Sequence, residues 1–140
     1  YPQSTTSLNI LLAEDGLVNQ KVAVNLLEQR GYKVKVANNG QEVLTALDNE
    51  SFDLVLMDVQ MPTMDGFQAT KLALWKDNTV KIIAITMHIE QVFLLKLIES
   101  GFKGCVYKTE VFSVLEKAIY TVMSDELFFP DDIEITFKIE

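Results

Sequence analysis

A single cysteine, Cys105, stands in 140 residues, so no disulfide can close within the chain, and a reducing, cytoplasmic setting is the expectation. No apolar run approaches the ~20 residues of a membrane-spanning helix, and no charged-then-apolar leader opens the sequence, so no membrane partner is expected. Histidine also occurs once, as His88, which argues against a metal site built on paired imidazoles. Positive charge is scarce: 12 Lys and Arg face 20 Asp and Glu, a net charge of -8. Binding a phosphate backbone requires clustered lysine and arginine, so no nucleic acid is expected within this chain; cations and other proteins are.

What is present is a hydrophobic fraction of 49%, enough for one domain with a real core. Short β-rich runs occur at 8–13 (LNILLA), 32–37 (YKVKVA), 53–57 (DLVLM), 80–86 (VKIIAIT) and 103–108 (KGCVYK). Helical spacing fills the gaps. Val18, Val22 and Leu26 recur every four residues before Gly31, and Asn39-Gly40 opens a segment carrying Val43, Leu44 and Leu47. Further helices are expected from Gly66 to Trp75, with Trp75 as a packing anchor, from His88 to Ser100, and from Glu110 onward. Strands alternating with helices imply a parallel sheet covered on both faces. The second run alternates Val34 and Val36 with Lys33 and Lys35, which places it at an edge.

Residues 1–7 read as a flexible arm, 8–123 as the folded domain and 124–140 as an extension. In the extension, Ile133, Ile135, Phe137 and Ile139 alternate with polar residues after Pro130, the pattern of a half-buried strand. It packs either on its own domain or in a dimer.

In an open parallel sheet, ligands bind beyond the carboxyl ends of the strands. Here those ends carry Glu14-Asp15, Asp58, Thr86 and Lys108. Two like charges 4 Å apart repel by about 4 kcal/mol at an effective dielectric near 20, so three carboxylates in one crevice call for a cation. Lys108 supplies one positive charge. A hard divalent ion, Mg²⁺ or Mn²⁺, suits the rest, with Asp15 and Asp58 as direct ligands, Glu14 acting mainly through water, and the backbone carbonyl of Gln60 completing the set. Such a metal beside Lys108 and Thr86 favours phosphoryl transfer, with Asp58 as the nucleophile.

These residues, together with the stretch LVLMDVQMPTMDG (54–66), resemble the receiver domain of two-component response regulators. The resemblance spans about residues 8 to 123. It implies an α/β, flavodoxin-like (βα)5 fold with strand order 2-1-3-4-5. It also implies a phosphoacceptor domain rather than a conventional enzyme: Asp58 takes phosphate from a histidine kinase or phosphotransfer protein, Thr86 bonds the phosphoryl oxygen and Lys108 pairs with it. In the family the fourth helix, fifth strand and fifth helix form the output and dimer surface. One departure is Cys105, which stands where the family carries its switch aromatic. This leaves a second reading in play, a receiver-like module that binds protein without phosphorylation.

Other features have plainer expectations. Asp65 serves the turn before Gly66, and Asn19 either orients the acid loop or faces solvent. Apolar residues spread around most of the fourth helix, and Phe112, Ile119 and Met123 extend beyond the core stripe of the fifth. Either Phe128 and Phe129 cover this excess or a second copy does, which gives a homodimer through that surface or the tail. A haloacid-dehalogenase-type phosphatase would need a second Asp at position 60, where Gln60 stands.

Overall fold

The alternation of runs becomes five strands, β1 (Asn9–Ala13), β2 (Lys33–Ala37), β3 (Leu54–Asp58), β4 (Lys81–Thr86) and β5 (Gly104–Tyr107). Between and after them lie α1 (Leu17–Gln29), α2 (Gly40–Asn49), α3 (Gly66–Lys76), α4 (Gln91–Ser100) and α5 (Val111–Met123), the last preceded by a single 3-10 turn. The structure is a computed structural model and describes residues 8–59, 65–86 and 91–129. Gln60, Met61, Pro62, Met64, His88 and the alternating segment 133–139 therefore lie outside the described residues.

All strand pairs are parallel, in the order β2-β1-β3-β4-β5, which is the flavodoxin-like order. The chain steps from β1 outward to β2, then returns to the other side of β1 as β3. That reversal leaves a crevice beyond the ends of β1 and β3. Strand periodicity divides the core in two. Leu11, Val55, Met57, Ile82, Ala84 and Cys105 face α2, α3 and α4, while Ile10, Leu12, Leu56, Ile83, Ile85 and Val106 face α1 and α5. β3 is buried at every position, and β2, at the edge, exposes Lys33 and Lys35.

Caps fix two helix starts that flank the crevice. The Asn39 side chain accepts the Glu42 N–H at 2.9 Å, and Glu42 in turn accepts the Asn38 N–H at 3.0 Å, a reciprocal box. Asp65, as expected, is structural: its carboxylate accepts the Gln68 N–H at 2.9 Å and caps α3. Gly66 is required by proximity. A Cβ there would lie 2.6 Å from Val59 Cα and 2.8 Å from the Asp58 carbonyl.

Two expectations fail. Trp75 is 88% exposed, so it anchors nothing; it lies on the outward face of α3 with Lys71 and Leu72, while Ala73 in the same last turn is buried. The Val18, Val22 and Leu26 spacing does mark a helix, and Leu26 packs on the core, but Val18 faces outward at 73% exposure and Val22, at 38%, borders the acid crevice rather than the core. The inward face of α1 is Gln20 and Leu27, with Ala23 and Val24 packed behind them. Ile119 is fully buried, hence core rather than excess, and Met123 and Phe128 pack on the same cluster.

Asp65→Ala should lower the unfolding free energy by about 1 kcal/mol, the usual worth of an N-cap. Gly66→Ala should cost more, about 1–3 kcal/mol from overpacking, and should also shift the Asp58 and Val59 amide resonances. Chemical denaturation and amide NMR measure both effects.

Candidate functional site

Each site residue sits where a strand gives out. Ala13 is the last residue of β1, so Glu14 and Asp15 follow at the rim, and the Glu14 N–H is held by the Ala37 carbonyl at 3.0 Å. Asp58 ends β3 opposite Ile85, and Thr86 ends β4 one residue further on, opposite Tyr107. Lys108 follows β5 directly. Glu14, Asp58 and Thr86 are buried, and Asp15 is exposed.

The Lys108 ammonium bridges two of the acids. Its Nζ lies 3.0 Å from Asp58 Oδ2 and 3.2 Å from Glu14 Oε1. Burial works against its charge, but hydrogen bonding and attraction from Asp58, with Glu14 adding to both, outweigh burial and hold the lysine above its ordinary range. Glu14 moves the other way for an acid. Burial first, then hydrogen bonding and repulsion from Asp58, push its carboxyl up to about 7 despite Lys108.

One carboxylate atom of each of Glu14, Asp15 and Asp58 lies within 4.8 Å of the others, an all-oxygen donor set. Glu14 Oε2 is buried without a hydrogen-bond partner. An orphaned buried oxygen in a group of acids is the signature of a position that accepts a cation. The donors therefore fit a hard divalent ion. The remaining expected ligand, the Gln60 carbonyl, lies outside the described residues.

A profile of the response regulator receiver domain matches residues 10–120. The chain belongs to the response regulator receiver domain family. A LuxR-family two-component response regulator from Aurantimonas sp. superposes on this receiver domain with a TM-score of 0.85 and 29% identity, covering 91% of this chain and 92% of that one. The hybrid signal transduction histidine kinase K of Dictyostelium discoideum is 46% identical over 71 residues, which is 51% of this chain and 6% of the kinase. The sensor histidine kinase RcsC of Escherichia coli is 30% identical over 110 residues, 79% of this chain and 12% of that protein. This receiver domain thus spans only a small fraction of the curated relatives it matches.

One participant was not foreseen. Gln20, buried in the first turns of α1, donates its side-chain amide to the Glu14 carbonyl and, at 2.7 Å, to Asn38 Oδ1. It ties the acid loop to the loop after β2. The available signal was a polar residue at the inward phase of α1, which is visible only once Val18 and Val22 are known to face away from the core. Asn19, its neighbour, is exposed.

Glu14 gives this receiver domain a pH signature in metal-free buffer. The folded carboxyl binds its proton more tightly than the unfolded one, so the stability this contributes is full below pH 4.5 and is lost as pH rises to about 7. The loss should be roughly 3 kcal/mol, and Glu14→Gln should flatten it. Urea midpoints from pH 4.5 to 8 in chelator test this, and a parallel fall in the variant would refute it.

Proposed function

We propose that this receiver domain is a phosphoryl-accepting switch whose acceptor is Asp58. The carrying observation is the Lys108 ammonium held 3.0 Å from an Asp58 carboxylate at the end of β3. A buried carboxylate is costly unless a cation compensates it, and Lys108 is that cation beside the oxygen that would act as nucleophile. The donor is the phosphohistidine of a histidine kinase or phosphotransfer protein. A carboxylate oxygen of Asp58 attacks phosphorus, the phosphorus–nitrogen bond breaks, and the electron pair returns to the imidazole. Lys108 is placed to pair with the phosphoryl oxygens, and the Thr86 hydroxyl to bond one of them.

Glu14, Asp15, Asp58 and the Gln60 carbonyl would hold Mg²⁺ or Mn²⁺, which when bound neutralises charge on the transferring oxygens. Phosphorylation adds a charge of about -1.5 to -2, and the response reaches the surface formed by α4, β5 and α5. We place the domain in the cytoplasm, without nucleic-acid contact of its own, and self-associating through that surface or the tail.

Cys105 favours a second reading. Burial leaves it fully inaccessible, with its thiol pushed up to about 12, and a side chain this small cannot swing a ring between two positions. A receiver-like module acting by constitutive protein contact needs no such swing.

Acetyl phosphate with Mg²⁺ separates the two readings. The switch predicts a mass increase of one phosphoryl group that vanishes in Asp58→Asn and forms far more slowly in Lys108→Met. The companion prediction is that millimolar Mg²⁺ shifts the amide resonances of Asp15 and Asp58. An unmodified protein under these conditions would hand the function to the binding module.

A further inference from the structure

The two outer strands of the sheet guard their free edges differently. An uncovered edge presents unpaired N–H and C=O groups and invites pairing with another chain. β2 answers with charge: Lys33 and Lys35 are exposed along it. β5, reading Gly-Cys-Val-Tyr, has no charge at all. Its guard is the chain that follows α5.

That segment is steered onto the edge by local chemistry. The end of α5 is closed by the Asp125 N–H to the Val122 carbonyl at 3.0 Å and the Glu126 N–H to the Thr121 carbonyl at 3.1 Å. Asp125 takes a left-handed φ of 66°, which turns the chain back, and its carboxylate pairs with Lys81. Phe128 then bridges Gly104 in parallel: its N–H donates to the Lys103 carbonyl at 3.1 Å, and its carbonyl accepts the Cys105 N–H at 2.8 Å. As in any strand, successive side chains go to opposite faces. Phe128 packs on the cluster beneath α1 and α5, Phe129 on the cluster containing Cys105. Gly104 leaves the space for this, since a Cβ there would lie 2.8 Å from the Phe128 carbonyl.

The attachment is weak. Among the described residues it amounts to one bridge, two half-buried rings and an ion pair whose Asp125 side chain is 85% exposed, and such pairs stabilise little. Leu127 is 59% exposed. Among the described residues, a groove of about 640 Å³ runs beside the segment, bordered by Val114, Lys117 and Thr121. The next residue, Pro130, has no N–H to give a ladder. Few buried contacts place the segment at the low-stability end of the fold.

We propose that residues 126–129 are a detachable strap that keeps the β5 edge from pairing with a second copy of this chain. The strap and the second copy compete for the same uncharged row of backbone groups. The second copy is the partner because it carries an identical edge, so pairing about a two-fold axis satisfies both. This deepens the self-association proposed above but needs no phosphorylation, and the test therefore reads it separately.

The experiment uses the full chain with Phe128→Asp, which puts a charge into an apolar seat, and Phe128→Pro, which removes the donor to Lys103 together with the ring and adds no charge. Sedimentation gives the mass, and a maleimide reads access to Cys105 in monomeric fractions. Both variants should associate about tenfold more tightly than the parent, and at dilution Cys105 should label about tenfold faster, the scale set by losing one or two such contacts. Cooperative melting confirms that the domain stays folded. Faster labelling with unchanged association would mean the strap guards nothing, and unchanged labelling and mass in both variants would mean there is no strap. Either result overturns the proposal, whether or not Asp58 accepts phosphate.

Discussion

The arrangement depends on one electrostatic constraint: three carboxylates meet where the strand order reverses, and one ammonium, Lys108, bridges two of them. Because Asp58 and Glu14 are both buried, the pair cannot relax into water, so the excess charge is carried as a raised Glu14 carboxyl and an orphaned oxygen. Nothing else in the fold requires acids at that rim. The sheet, its two apolar faces and the caps at Asn39 and Asp65 would be as stable with neutral residues there. The elements around the rim hold that charge in place.

Much of this was legible because strands and charges leave different marks. A continuous apolar run such as Leu54–Met57 ending in Asp58 can only be a covered strand with an acid at its tip, and the same holds for Ile82–Ile85 before Thr86. The edge position of β2 followed from its alternating lysines. Helix phase was harder to read. In α1, Val18 and Val22 have the right spacing but the wrong face, because α1 begins at the rim, where its first turn borders the acid crevice rather than the sheet. Gln20 was hidden by the same error, since a glutamine is assigned to solvent until the helix is rotated. Trp75 misled for the same reason: it shares the outward face of α3 with Lys71 and Leu72, while its neighbours Ala73 and Leu74 take the inward one.

The tail shows what a period-2 pattern does and does not reveal. The alternation in residues 133–139 drew attention to a strand there, while the contact the structure describes is made earlier, by Phe128 against Gly104. No alternation marks Leu127-Phe128-Phe129. What marks it is the glycine it lies on, and a glycine in a strand reads as weakness unless a close neighbour is suspected.

The site and the strap are joined by β5. β1, β3 and β4 each have strands on both sides, so moving any of them disturbs two ladders. β5 is bonded to β4 on one side and, among the described residues, to the strap by one bridge on the other. Lys108 stands at its end, shared between Asp58 and Glu14. A group on Asp58 that drew Lys108 away from Glu14 would therefore pull on an outer strand, with a full ladder on one side only. That strand also carries Cys105, packed in the same cluster as Phe129. In a domain lacking an aromatic at position 105, the acids and the outer edge are thus still joined through backbone, by the strand that ends in Lys108 and carries the Phe128 bridge.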